Sequence, residues 1–104
     1  MVTYRRIDCK EAFEIIQLGG TVVDVRDESS FKSGHIDGAI HIDNSSLAVF
    51  IEETDLSVPL VVYCYHGNMS QGAAAYFIEQ GFEQASSLDG GYEAWEEFNK
   101  GMRT

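Results

Sequence analysis

Five consecutive residues, Leu60-Val61-Val62-Tyr63-Cys64, are apolar without a break, and Pro59 precedes them. In a strand, neighbouring side chains point to opposite faces, so a run this uniform has to be covered on both sides. The run therefore predicts a central strand of a parallel sheet with helices above and below it. It stops at a polar segment containing Gly67, and residues 71–80 beyond it carry Ala74, Phe77 and Ile78 at helical spacing.

The rest of the chain repeats the alternation. Tyr4 to Ile7 reads as a short edge strand. Asp8, three residues before Glu11, resembles a capping box that opens a helix through Gln17, which Gly19-Gly20 ends. Thr21 to Val25 is β-branched and reads as a second buried strand, and residues 26–38 read as a turn-rich connection. Ala39 to Ile42 is a third strand, and Ser45 or Ser46 is placed to cap a helix over Leu47–Thr54. Ala85 to Leu88 is a weaker strand, Asp89-Gly90-Gly91 a turn, and Tyr92 to Phe98 a last helix. Strands alternating with helices predict an α/β sandwich with a mainly parallel, roughly five-stranded sheet. A length of 104 residues suits a single domain, 1–104, and no repeat or linker interrupts it.

Charge and cysteine content narrow the chemistry. Seven Lys and Arg face seventeen Asp and Glu, a net charge of -10, which excludes nucleic acid as the expected partner. No segment approaches the roughly 18 apolar residues of a membrane span, and Met1 to Arg6 lacks the apolar run of a signal peptide. The expectation is a cytoplasmic protein with no membrane partner. Cys9 and Cys64 form neither a disulfide framework nor a CxxC pair, so no bound metal or cofactor is expected and any cysteine chemistry rests on one thiol. From Ser33 to Asn99 there is no Lys or Arg.

Cys64 ends the strand ranked most central, and ligands of open parallel sheets bind beyond the carboxyl ends of the strands. The segment Cys64-Tyr65-His66-Gly67-Asn68-Met69-Ser70 then joins strand to helix. If its N–H groups converge, they form an anion cradle at the positive end of the helix dipole. A cysteine thiol ordinarily ionises at a pKa of about 8.5, and such a field lowers it. Gly67 suits a positive φ, and Asn68 and Ser70 can bond loop backbone or cap the helix. The plainer reading of Cys64 is a small buried hydrophobe at a strand end.

Four segments resemble the rhodanese family in sequence and order: Asp24-Val25-Arg26, Phe31 to Ile40, Cys64 to Ser70, and Leu88 to Trp95. The active loop is most similar to that of the family's single-domain thiosulfate sulfurtransferases. The resemblance implies a three-layer rhodanese-like sandwich. It also implies that Cys64 takes the outer sulfur of thiosulfate as a persulfide, and that cyanide or a thiol then removes it. The main-chain cradle maps onto Tyr65, His66, Gly67, Asn68, Met69 and Ser70. A CX5R phosphatase would carry arginine where this chain has Ser70, so phosphate chemistry is disfavoured. The alternative in another class is a non-catalytic binding or regulatory module of the same fold.

Other candidates are weaker. His66 is the one possible cation in the loop. Arg26 and Lys32 are further candidates for a substrate contact, and Arg26 also suits a structural ion pair. His35 and His41 read as packing or turn histidines, because sulfur transfer through a thiolate demands no general base. Cys9 reads as a structural residue and Trp95 as core.

Overall fold

A computed structural model describes residues 3–102. Five strands, β1 (Arg5–Ile7), β2 (Thr21–Asp24), β3 (Ile40–His41), β4 (Leu60–Tyr63) and β5 (Ala85–Leu88), alternate with five helices. These are α1 (Cys9–Gln17), α2 (Glu28–Ser33), α3 (Leu47–Glu53), α4 (Met69–Glu79) and α5 (Gly91–Met102). All pairings are parallel and the sheet order is β1-β5-β4-β2-β3, so the apolar run does occupy the middle of the sheet.

Strand alternation splits the core in two. Leu60 and Val62 of β4 pack on one face with Phe50, Ala74, Phe77 and Phe82, beneath α3 and α4. Val61 and Tyr63 pack on the other with Ile7, Ala12, Leu88 and Trp95, beneath α1 and α5. All four β4 residues are buried. Helices on both faces make the three layers that a doubly apolar strand requires.

Local chemistry explains most boundaries. Asp8 accepts a hydrogen bond from the Glu11 N–H at 2.9 Å and starts α1, while the Glu11 carboxylate turns to Arg5 instead of closing the box. The connection read as turn-rich contains α2, opened by Asp27, which accepts from the Ser30 N–H at 3.2 Å. This helix buries no residue and so shows no apolar stripe in the sequence. Before α3, neither Ser45 nor Ser46 caps by its side chain. Asp43 organises the turn, accepting from the N–H groups of Ser45 and Ser46 at 2.9 and 3.1 Å. α4 starts at Met69, ahead of the expected residue 71, and α5 runs on to Met102. β5 is buried throughout despite two serines.

Candidate active site

The site forms where β4 ends. Cys64 is the first residue past the strand and is almost wholly buried, with 4% of its surface exposed. Its Sγ accepts hydrogen bonds from the Gly67 N–H at 3.2 Å and the Ser70 N–H at 3.3 Å, and lies 3.4 Å from Ser70 Oγ. Sulfur therefore serves as the N-terminal cap of α4. Asn68, the residue in the cap position, makes no side-chain cap bond. Burial pushes the Cys64 thiol up, but the Ser70 hydroxyl, the Ser70 and Gly67 N–H groups and the His66 N–H outweigh it. The net result is a pKa below the ordinary thiol value, as expected of a cradle at a helix N-terminus.

Two glycine-bearing turns hold the loop in this shape. Gly67 has φ +96°, and a Cβ there would lie 2.8 Å from the Gly90 nitrogen. Gly91 has φ +59°, and a Cβ there would collide with the carbonyl oxygens of Cys64 and Tyr65. Those two carbonyls instead accept from the first turn of α5, from the Tyr92 N–H at 2.8 Å and the Glu93 N–H at 3.1 Å. The loop thus caps α5 with its carbonyls and α4 through its sulfur. Gln71 braces it from behind, donating from Nε2 to the Gly67 carbonyl at 3.0 Å and accepting from the Tyr4 hydroxyl at 3.0 Å.

The candidate cations lie in different settings. Arg26 is drawn inward, donating from Nη2 to Asp24 Oδ2 at 2.7 Å and to the Gly34 carbonyl at 2.7 Å, with its guanidinium 4.3 Å from the Tyr92 ring centre. It is the structural ion pair that the sequence admitted. Lys32 pairs with Glu28 on exposed α2. His66 is exposed, stacked on Tyr65 at a ring separation of 4.5 Å, with Nδ1 3.6 Å from Glu93. His35 stacks on Phe31 and its Nδ1 contacts the Phe31 carbonyl; His41 Nε2 lies 2.7 Å from the Arg26 carbonyl. Both are packing histidines, as expected. Cys9 begins α1, where burial and then Asp8 push its thiol up.

Sequence reasoning missed the supports beneath the loop. The helical spacing from residue 71 gives Gln71 no role beyond starting a helix. Ser87, on β5, is fully buried with its Oγ 2.8 Å from Ser70 Oγ. A hydroxyl inside a short, otherwise buried strand was the available signal.

The site is thus a thiol with a lowered pKa held by main-chain donors in a strand-to-helix loop. Residues 8–98 match the family model described as Rhodanese-like domain. The chain belongs to the rhodanese family. It is 57% identical over 93 residues to the thiosulfate sulfurtransferase GlpE of Pseudomonas aeruginosa (strain LESB58), covering 89% of this chain and 84% of that protein. It is 50% identical over 95 residues to thiosulfate sulfurtransferase GlpE of Pseudomonas syringae pv. syringae (strain B728a), covering 91% and 90%. Among solved structures, a rhodanese-related protein from Thermoplasma volcanium superposes on this rhodanese with a TM-score of 0.78 at 29% identity, covering 91% of this chain and 93% of that one.

Proposed function

We propose that this rhodanese is a thiosulfate sulfurtransferase in which Cys64 is the nucleophile. The observation that carries the reading is the convergence of the Gly67 and Ser70 N–H groups and the Ser70 hydroxyl on one buried sulfur with a lowered pKa. In the first half-reaction the Cys64 thiolate attacks the outer sulfur of thiosulfate. A bond forms between Sγ and that sulfur, the S–S bond of thiosulfate breaks, and its electron pair leaves on sulfite. The persulfide keeps one negative charge on its outer sulfur. In the second half-reaction cyanide or a thiolate attacks that sulfur, and the electron pair of the persulfide bond returns to Sγ as thiolate.

Each step brings an anion toward an anion, so the site needs positive potential, and the candidate cations Arg26 and Lys32 are already paired with carboxylates. The main-chain N–H groups of Tyr65, His66, Gly67, Asn68, Met69 and Ser70 are the proposed cradle, reinforced by the dipole of α4. Preorganised donors of this kind stabilise charge without rearranging as it moves. Each bond made or broken moves an electron pair between the nucleophile and sulfur, so the reaction calls for no cofactor or metal. A thiolate that must stay reduced between turnovers suits the cytoplasm. No helix among the described residues is long and apolar enough to cross a membrane.

The test is intact-protein mass after thiosulfate treatment, with thiocyanate release measured in parallel for the native chain and for Cys64→Ser. The native protein should gain the mass of one sulfur and lose it on adding cyanide; the variant should do neither. Equal turnover in the two proteins would remove Cys64 from the mechanism. No mass gain and no turnover in the native protein would favour a rhodanese-fold binding module.

A further inference from the structure

Ser87 lies outside the loop, on the floor beneath it. The strand that carries it is buried over its whole length, and Ser87 itself has no exposed surface. A buried hydroxyl costs stability unless it is hydrogen-bonded, and an apolar residue would fill such a strand position more cheaply. Its one hydrogen-bond partner among the described residues is Ser70 Oγ at 2.8 Å, and Ser70 Oγ in turn lies 3.4 Å from Cys64 Sγ. Three groups thus form a line running from the sheet to the reacting sulfur.

The protons in that line can be counted. Each serine hydroxyl carries one proton, and a thiolate carries none and only accepts. With sulfur ionised, Ser87 donates to Ser70 and Ser70 donates to sulfur, so both hydroxyl protons are used. With sulfur protonated and its S–H turned onto Ser70 Oγ, the Ser70 proton turns to Ser87 Oγ. Among the described residues, Ser87 Oγ then has no other hydrogen-bond partner to take its proton. Buried unplaced donors are costly, so the two directions of the chain are unequal.

We propose that Ser87 is a positioning residue that orients the Ser70 hydroxyl toward Cys64 and thereby holds the sulfur as thiolate, both before attack on the donor and when Sγ is released from the persulfide. The proposal rests on Cys64 being the nucleophile. Its reach is local, since Ser87 acts only through Ser70.

The experiment follows the pH dependence of Cys64 alkylation by iodoacetamide, read by mass on the Cys64 peptide, in the native chain, Ser87→Ala, Ser87→Thr, Ser70→Ala and the double alanine variant. Ser87→Ala should raise the midpoint by about half a unit to one unit, which below the midpoint slows alkylation about three- to tenfold. Ser87→Thr keeps the hydroxyl in a residue suited to strands and should leave the midpoint near the native value. In the Ser70→Ala background, replacing Ser87 should add nothing. An unchanged midpoint in Ser87→Ala would overturn the proposal. So would an equal shift in Ser87→Thr, or an undiminished effect of Ser87→Ala when Ser70 is already alanine. Failure of the native protein to form a persulfide would instead strike at Cys64, and it is read separately by the thiosulfate mass experiment.

Discussion

The charge of the molecule sets a measurable condition on its use of thiosulfate. The chain carries a net charge of -10 and has a Cα radius of gyration of 12.7 Å. A uniform sphere with that radius of gyration has a radius of about 16 Å, and a dianion at its surface meets about 5 kcal/mol of unscreened repulsion in water. As the Debye length falls from about 30 Å at 0.01 M salt to about 8 Å at 0.15 M, the repulsion drops from about 3.3 to about 1.7 kcal/mol. The difference of about 1.6 kcal/mol corresponds to about a fifteenfold fall in the apparent KM for thiosulfate over that range. Cradle donors act on the anion at hydrogen-bond range, where salt screens little, so they leave this trend intact.

The assay is steady-state thiocyanate formation at fixed pH and saturating cyanide, with sodium chloride and potassium chloride compared at matched ionic strength. The two salts should give one curve, because screening depends on ionic strength and not on the ion. A monoanionic thiosulfonate donor should show about half the logarithmic slope, since it carries half the charge. An apparent KM that stays flat or rises with salt would refute the reasoning. It would mean that the field at the loop is not negative, and that local groups such as His66 dominate over the body of the molecule.

Four further outcomes follow from the geometry. Iodoacetamide at neutral pH should label Cys64 ahead of Cys9, because the loop lowers one thiol and burial raises the other; peptide mass analysis reads the order, and faster labelling of Cys9 would refute it. The Cys64 pKa is lower in the folded chain than in the unfolded one. Its stabilising contribution is therefore complete above the unfolded value and lost as pH falls through the folded one, along with the fast alkylation. Gly91→Ala should cut kcat/KM about tenfold or more by pushing the Cys64 and Tyr65 carbonyls out of place, and activity within about twofold of native would refute the packing argument. Asp24→Ala leaves the Arg26 guanidinium buried without its counter-charge and should cost about 3–5 kcal/mol in denaturant unfolding; a loss under about 1 kcal/mol would refute it.

How far the sequence reveals the molecule depends on whether a residue's role is local. β4 was legible because four buried residues in a row leave no choice of position in the sheet, and the Asp8 cap was legible because donor and acceptor lie three residues apart. The same kind of local signal, Asp27 with Ser30, was present for α2 but lay in a segment without an apolar stripe. Cys64, Gly67 and Ser70 were legible because the sulfur and its donors lie within one loop. Ser87 and Gly91 were not. Their roles depend on β5 lying beside β4 and on the first turn of α5 meeting the loop, contacts across more than a dozen residues that no spacing rule encodes.

The absence of a Lys or Arg from residues 33–99 acquires a reason from this arrangement. Arg26, which lines one cavity with Tyr65 of the loop, is engaged by Asp24 and Gly34 and stacked on Tyr92, so it supports the wall of the site and is not free to meet an anion. On the proposed mechanism, stabilisation of sulfur anions is left to N–H groups and a hydroxyl, which carry no net charge and lose their hold within a few ångströms. Such a cradle distinguishes poorly between anions at long range, while the acidic body disfavours each in proportion to its charge. A persulfide with one negative charge is therefore held more easily than a dianion is admitted. On the proposed mechanism the site is better suited to keeping a sulfane sulfur than to collecting it from thiosulfate, and a donor of lower charge should load Cys64 at lower concentration.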